Sequence, residues 1–190
     1  AVGYEALCSS TTGNGYNTAV GCSSLSTLTT GSENVAIGWG TAQSITTGSY
    51  NSAIGQAALS LTTTGEHNIG IGYDAGKKIT TGEKNVAVGE GAYSNGTTGQ
   101  NNVSIGADTG KALTTGSWNL SMGNLAIGGI TAATGSNNIG FGLMSAYALT
   151  SGSNNIAMGY KSGCSITTGT FNIAIGCDAG EGIMCNYIRL

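Results

Sequence analysis

The sequence predicts an all-β fold, a parallel β-solenoid of the β-roll or β-helix type with about ten coils of 17 residues. Three observations predict it. The motif Asn-x-Ala-(Ile or Val)-Gly recurs at a fixed spacing, as from Asn34 to Asn51, apart from one longer step between Asn119 and Asn138. The triplet Thr-Thr-Gly lies three residues before most of these asparagines, and glycine makes up 34 of 190 residues while proline is absent. The motif asparagines are Asn17, Asn34, Asn51, Asn68, Asn85, Asn102, Asn119, Asn138, Asn155 and Asn172.

A coil of this length is too short for a helix and a strand with their turns, but it fits short strands joined by tight corners. The glycine of the motif and the glycine of Thr-Thr-Gly are the expected corners, because glycine adopts positive φ without steric cost. Proline is excluded because every coil donates backbone N–H groups to its neighbour. We expect residues 1–190 to form a single repeat array, and the longer step after Asn119 to add a bulge in a corner.

The strand of each coil alternates between two constrained faces. We expect Val35 and Ile37, and their equivalents, to form the core, with Asn34 and Ala36 on the opposite face. The asparagines are predicted to form a ladder of amide hydrogen bonds between coils. The alanines indicate close approach to another surface, which is either another copy of the chain around a common axis or a third wall of the same solenoid.

Composition argues against several functions. With only six Lys and Arg residues and a net charge of −3, the chain lacks the basic patch that indicates nucleic-acid binding. No run of 18 apolar residues exists, so we expect no membrane insertion. His67 is the only histidine, and the acidic residues form no column of metal ligands and no carboxylate pair of the glycosidase kind. We therefore expect no enzyme activity, no catalytic residue, no metal and no cofactor.

Aromatic residues are concentrated at the corners, either directly after the motif glycine or directly before the motif asparagine. Exposed aromatic rings stack on sugar rings, so these residues are candidate receptor or glycan contacts. Packing along the edge of the fold, or burial between subunits, explains the same pattern. The candidates are Trp39, Tyr50, Tyr73, Trp118, Tyr160 and Phe171.

Repeats such as Tyr50-Asn51-Ser52-Ala53-Ile54-Gly55, followed by Thr63-Thr64-Gly65, resemble the repeats of bacteriophage tail-fibre proteins. They are also similar to the Asn-Ser-Val-Ala-Ile-Gly repeats in the heads of trimeric autotransporter adhesins. The resemblance implies a homotrimer of left-handed parallel β-rolls, located outside the cell or on a virion. It would be a shaft or head that attaches to a host or cell surface through a receptor, glycans included. Because the chain begins within a motif, we expect a fragment of a longer fibre protein.

Two alternative functions share this fold. A self-assembling extracellular filament subunit would differ only in its end-to-end contacts. An ice-binding solenoid is suggested by the stacked threonines, but ice binders favour Thr-x-Thr, which places both side chains on one face. Adjacent threonines lie on opposite faces, which leaves one outward column.

Overall fold

The computed structural model describes residues 1–10, 15–129, 131–180 and the backbone of 188–189. These residues form an all-β solenoid without helices, and its single parallel sheet has 11 strands in sequential order. The predicted fold class is confirmed. The strands are β1 (Thr18–Val20), β2 (Val35–Ile37), β3 (Ser52–Ile54), β4 (Ile69–Ile71), β5 (Val86–Val88), β6 (Val103–Ile105), β7 (Leu120–Met122), β8 (Ile139–Phe141), β9 (Ile156–Met158), β10 (Ile173–Ile175) and β11 (Ile188–Arg189).

Each strand pairs in register with the equivalent strand of the next coil, as in Ala36 opposite Ala53. The longer step between β7 and β8 keeps this register, with Leu120 opposite Ile139. The two extra residues therefore lie outside the sheet, between the end of β7 and the start of β8. The sheet continues through the irregular coil.

The predicted orientation of the strands is wrong. Asn34 and Ala36 are fully buried inside the coil, whereas Ile37 is 40 % exposed and Val35 is partly exposed. The reason is the narrow interior, which the opposite wall already fills with side chains such as Leu25 and Leu28. Only a small residue fits at the middle of the strand, so the aliphatic side chains point outward.

The asparagine side chains form a continuous ladder inside the solenoid. Asn85 donates from Nδ2 to Asn68 Oδ1 at 3.1 Å and to the carbonyl of Gly99 at 2.9 Å. Its own Oδ1 accepts hydrogen bonds from the backbone N–H of Asn102 at 3.0 Å and from Asn102 Nδ2 at 3.1 Å. From Asn17 to Asn155, each amide thus satisfies the carbonyl of the glycine that ends a Thr-Thr-Gly or equivalent triplet, as well as the amide of the next coil. This explains why a polar column can be buried.

One core position departs from the repeat. Tyr93 is fully buried, and its hydroxyl accepts a hydrogen bond of 2.9 Å from Asn102 Nδ2. Gly96 leaves room for the ring, since a Cβ there would collide with Tyr93 Cε1. Burial raises the pKa of the Tyr93 hydroxyl above its ordinary value, and the hydrogen bond from Asn102 opposes this only in part. The phenol is therefore neutral in the folded protein.

The two glycine columns have different physical causes. The motif glycines have positive φ, for example 138° at Gly38, as predicted. The prediction of positive φ at the Thr-Thr-Gly glycines is wrong, because the positive φ lies on the residue before each asparagine, such as Lys84 at 57°. At Gly82 the constraint is close approach, since an added Cβ would lie 2.5 Å from the carbonyl oxygen of Gly99.

We expect Gly82→Ala to lower the free energy of unfolding by about 3 kcal/mol, because a backbone atom cannot yield to the new methyl group. The control is Gly40→Ala, where an added Cβ has only Gln43 Oε1 nearby, at 3.6 Å. Ala57 already adopts positive φ at the equivalent position, so the control should lose about 1 kcal/mol. Urea denaturation at a fixed chain concentration measures both, and equal losses would contradict the close-approach explanation.

Candidate functional site

The outward side of the sheet is strongly apolar. We call the first and third residues of β1–β10 the apolar face. Its first positions are aliphatic except at Thr18 and Ser52. Its side chains remain substantially exposed, for example 38 % at Ile71 and 47 % at Phe141. The third residues are Val20, Ile37, Ile54, Ile71, Val88, Ile105, Met122, Phe141, Met158 and Ile175.

The apolar face is long and continuous. With about 4.8 Å between strands, ten strands extend over roughly 48 Å. Exposed apolar patches of this extent generally mark an interaction surface, because water-facing strands otherwise carry polar side chains. The face was not predicted from the sequence, since the alternation alone did not tell which side of the strand lies inside.

The six candidate aromatic residues are 45 to 68 % exposed. They fall in two columns, one just before the motif asparagine and one just after the motif glycine, so each of them borders one end of a strand. Tyr50 stacks in parallel on His67 of the next coil, with 4.7 Å between ring centroids. Their place beside the apolar face agrees with a rim around an interface between copies, and their exposure agrees with a saccharide contact.

A second surface carries charged side chains in three successive coils. Asp74 and Lys77 form an ion pair of 3.0 Å, and Asp108 and Lys111 form one of 2.8 Å two coils further on. The coil between them has Gly91 and Ser94 at the corresponding positions. These small residues leave an open depression of about 370 Å³, with an ion pair on either side.

Two further depressions, of about 350 and 290 Å³, adjoin the first one. All three share Asn95, whose Oδ1 accepts a hydrogen bond of 2.8 Å from Lys78 Nζ. They continue past Ala112 and Gly129, where the side chains are again small, as far as Tyr147. We call this surface, from Tyr73 to Tyr147, the charged groove.

The acidic residues of this region form no column of metal ligands in the sequence, and the groove was not predicted from it. The signal in the sequence that could have revealed the groove is the pair of Asp-x-x-Lys segments, Asp74 to Lys77 and Asp108 to Lys111. These ion pairs are partly exposed and contribute at most about 1 kcal/mol each to folding. Because the ion pairs add little to the stability of the fold, their position on either side of a depression makes them candidates for binding a ligand.

The threonine pairs present one outward column. Thr46 is partly buried, and its Oγ1 donates to the carbonyl of Thr63 at 3.3 Å, whereas Thr47 is exposed. The same division holds in the next coils, where Thr63 is partly buried and Thr64 exposed. The arrangement lacks the Thr-x-Thr pairs on one face that an ice-binding surface favours.

Other kinds of site find no support in the described part of the chain. No group of three or more His, Cys, Asp or Glu residues there is placed to hold a metal ion. No helix among those residues has the length and apolar character needed to cross a membrane. Cys8, Cys22, Cys164 and Cys177 are free thiols, and Cys185 lies outside the described residues.

Comparison with known proteins gives no match, whether to a family model, a curated protein or a solved structure. The resemblance to tail-fibre and adhesin repeats therefore rests on the motif alone. The solenoid fold rests on the structure.

Proposed function

We propose that this chain is a rigid segment of an attachment fibre in which three copies pack their apolar faces together around a common axis. The single observation that carries the proposal is the exposed apolar face along β1–β10. In water it would leave two columns of aliphatic side chains unprotected over the length of the molecule. Covering them supplies the hydrophobic driving force for assembly.

Identical copies are the partner that best fits this surface. Between the two aromatic columns the surface measures roughly 48 Å by 20 Å, at about 4.8 Å per strand and about 3.3 Å per residue. The resulting area of roughly 950 Å² is close to the about 800 Å² per partner of stable interfaces. A second and a third copy have apolar faces of the same length and register. They would cover every strand, with the aromatic columns at the rim of the interface.

A fibre segment also fits the rest of the molecule. In-register strand pairs join successive coils, and the amide ladder links them from β1 to β10. Such a scaffold is stiff along its axis and leaves the corner side chains free to vary, which is where recognition is usually carried. We place the protein outside the cell or on a virion, with a surface glycan as receptor.

The recognition part of the proposal is tested on an array of neutral and acidic surface glycans. We expect the labelled protein to bind at least one glycan, and the triple variant Trp39→Ser, Tyr73→Ser, Trp118→Ser to lose that binding. The melting temperature should remain nearly unchanged, because all three side chains are half or more exposed. Binding that survives the triple change would assign recognition to another part of the surface, and an array without any signal would contradict a glycan receptor.

A further inference from the structure

We propose that the charged groove binds a neutral saccharide, with one pyranose ring in the depression above Gly91 and Ser94. The inference rests on the proposed function, because it names the receptor chemistry of an attachment fibre. It assigns recognition to a surface built by the second, fifth and sixth residues after the motif glycine, in coils that lie next to each other.

The depression is already formed in the protein without a ligand. Its volume of about 370 Å³ falls within the ~300–1,000 Å³ of small-ligand sites. It exists because the central coil carries Gly91 where both neighbouring coils carry an aspartate. A Cβ on Gly91 would lie only 2.5 Å from Asp108 Oδ1, so a larger residue would displace the wall.

The charges around the depression favour a neutral ligand. Three lysines are balanced by three carboxylates, so no excess of positive charge attracts phosphate, sulfate or an acidic polysaccharide. Each Asp–Lys pair places an acceptor beside a donor, and a sugar hydroxyl both donates and accepts. The six charged residues are Lys77, Lys78, Lys111, Asp74, Glu90 and Asp108.

Asp74 supplies a specific contact. Its Oδ2 accepts a hydrogen bond from Lys77, while Oδ1 is buried and has no hydrogen-bond partner. A buried carboxylate oxygen without a donor is costly. Asp74 lines the depression, so a rotation of its carboxylate would bring this oxygen within reach of a ligand hydroxyl, which would supply the missing donor.

The groove has room for more than one sugar. Asn95 lines all three depressions, and because its Oδ1 accepts from Lys78, its amide nitrogen would be the atom that donates to a bridging oxygen. Tyr73 stands at one end and Tyr147 at the other. Rings at both ends match the stacking platforms that sugars use. The ligand class is therefore a short neutral oligosaccharide or the end of a longer one.

The test is saturation-transfer difference NMR on the 190-residue protein. The probes are methyl glycosides of glucose, galactose and mannose, their β-linked disaccharides, and the anionic probes glucuronic acid and glucose 6-phosphate. We expect at least one neutral probe to bind. Ser94→Tyr should abolish binding by filling the depression, and its side chain has a precedent in Tyr147 at the equivalent position. Gln43→Tyr places the same ring at the same position three coils away, and it should bind as the unmodified protein does.

Asp74→Ala is a second variant, which carries the test if circular dichroism shows that Ser94→Tyr does not fold. It should weaken binding about tenfold, as expected for the loss of one hydrogen bond to a charged group. The inference is overturned if no neutral probe binds or if only the anionic probes bind. It is also overturned if a neutral probe binds undiminished to Ser94→Tyr or, where that variant does not fold, to Asp74→Ala.

Failure of this inference is distinguishable from failure of the proposed function. A trimer whose glycan binding depends on Trp39 and Trp118, which lie outside the groove, but not on Ser94 would overturn only the groove. A monomer that binds neutral saccharides in the groove would support the groove and contradict the assembly.

Discussion

Replacing Asn85 by Leu should lower the free energy of unfolding by about 2–6 kcal/mol, because it leaves two buried groups unsatisfied at about 1–3 kcal/mol each. The change removes the donor to the carbonyl of Gly99 and the acceptor of the backbone N–H of Asn102. Both groups lie inside the solenoid, where water does not replace the lost partner. Leucine brings no compensating contact, because the interior beside the strand is already filled.

The matched control is Lys84→Asn at the preceding residue. Lys84 is exposed and has positive φ, a conformation that asparagine tolerates and that Asn101 already adopts in the next coil. We expect a change within about 0.5 kcal/mol for this surface substitution. Chemical denaturation at one chain concentration measures both variants. Equal unfolding midpoints would mean that the amide ladder does not stabilise the fold.

Placing charges on the apolar face should separate the subunits without unfolding them. Ile71→Lys combined with Ile105→Lys puts two ammonium groups in the centre of the face on each copy, where assembly would desolvate them. Both side chains are more than one third exposed in the single chain, so its own core is not disturbed. We expect light scattering to show loss of the assembly, with circular dichroism retained.

The control for this variant adds the same charge to the same coils. Thr81→Lys with Thr115→Lys places two lysines on the exposed threonine column. This double variant should assemble like the unmodified protein. If both double variants dissociate equally, net charge and not the apolar face governs association. If neither dissociates, the interface lies elsewhere.

The period in the sequence was enough to predict the solenoid, because a repeating unit this short leaves few ways to stack a chain. It did not predict the side of the strand that faces inward. Alternation separates Asn34 from Val35, but an aliphatic side chain is the usual core residue and an amide the usual surface residue. The amide lies inside here because its hydrogen bonds are all satisfied by glycine carbonyls and by the neighbouring amides.

The charged groove could not be predicted from one coil at a time. The Asp74–Lys77 pair is visible in the sequence, but the depression depends on Gly91 and Ser94 in the next coil and on the second pair one coil later. The longer segment between β7 and β8 adds part of the wall through Gly129. Residues one repeat apart become neighbours in space only once the register is known.

The measurement that tests the central claim most directly is the mass of the particle in solution by multi-angle light scattering. If three chains cover one another's apolar faces, the mass is three times the 18.8 kDa of the single chain and is independent of concentration above the dissociation constant. A folded particle of 18.8 kDa at every concentration would contradict the claim, because the apolar face would then be stable in contact with water.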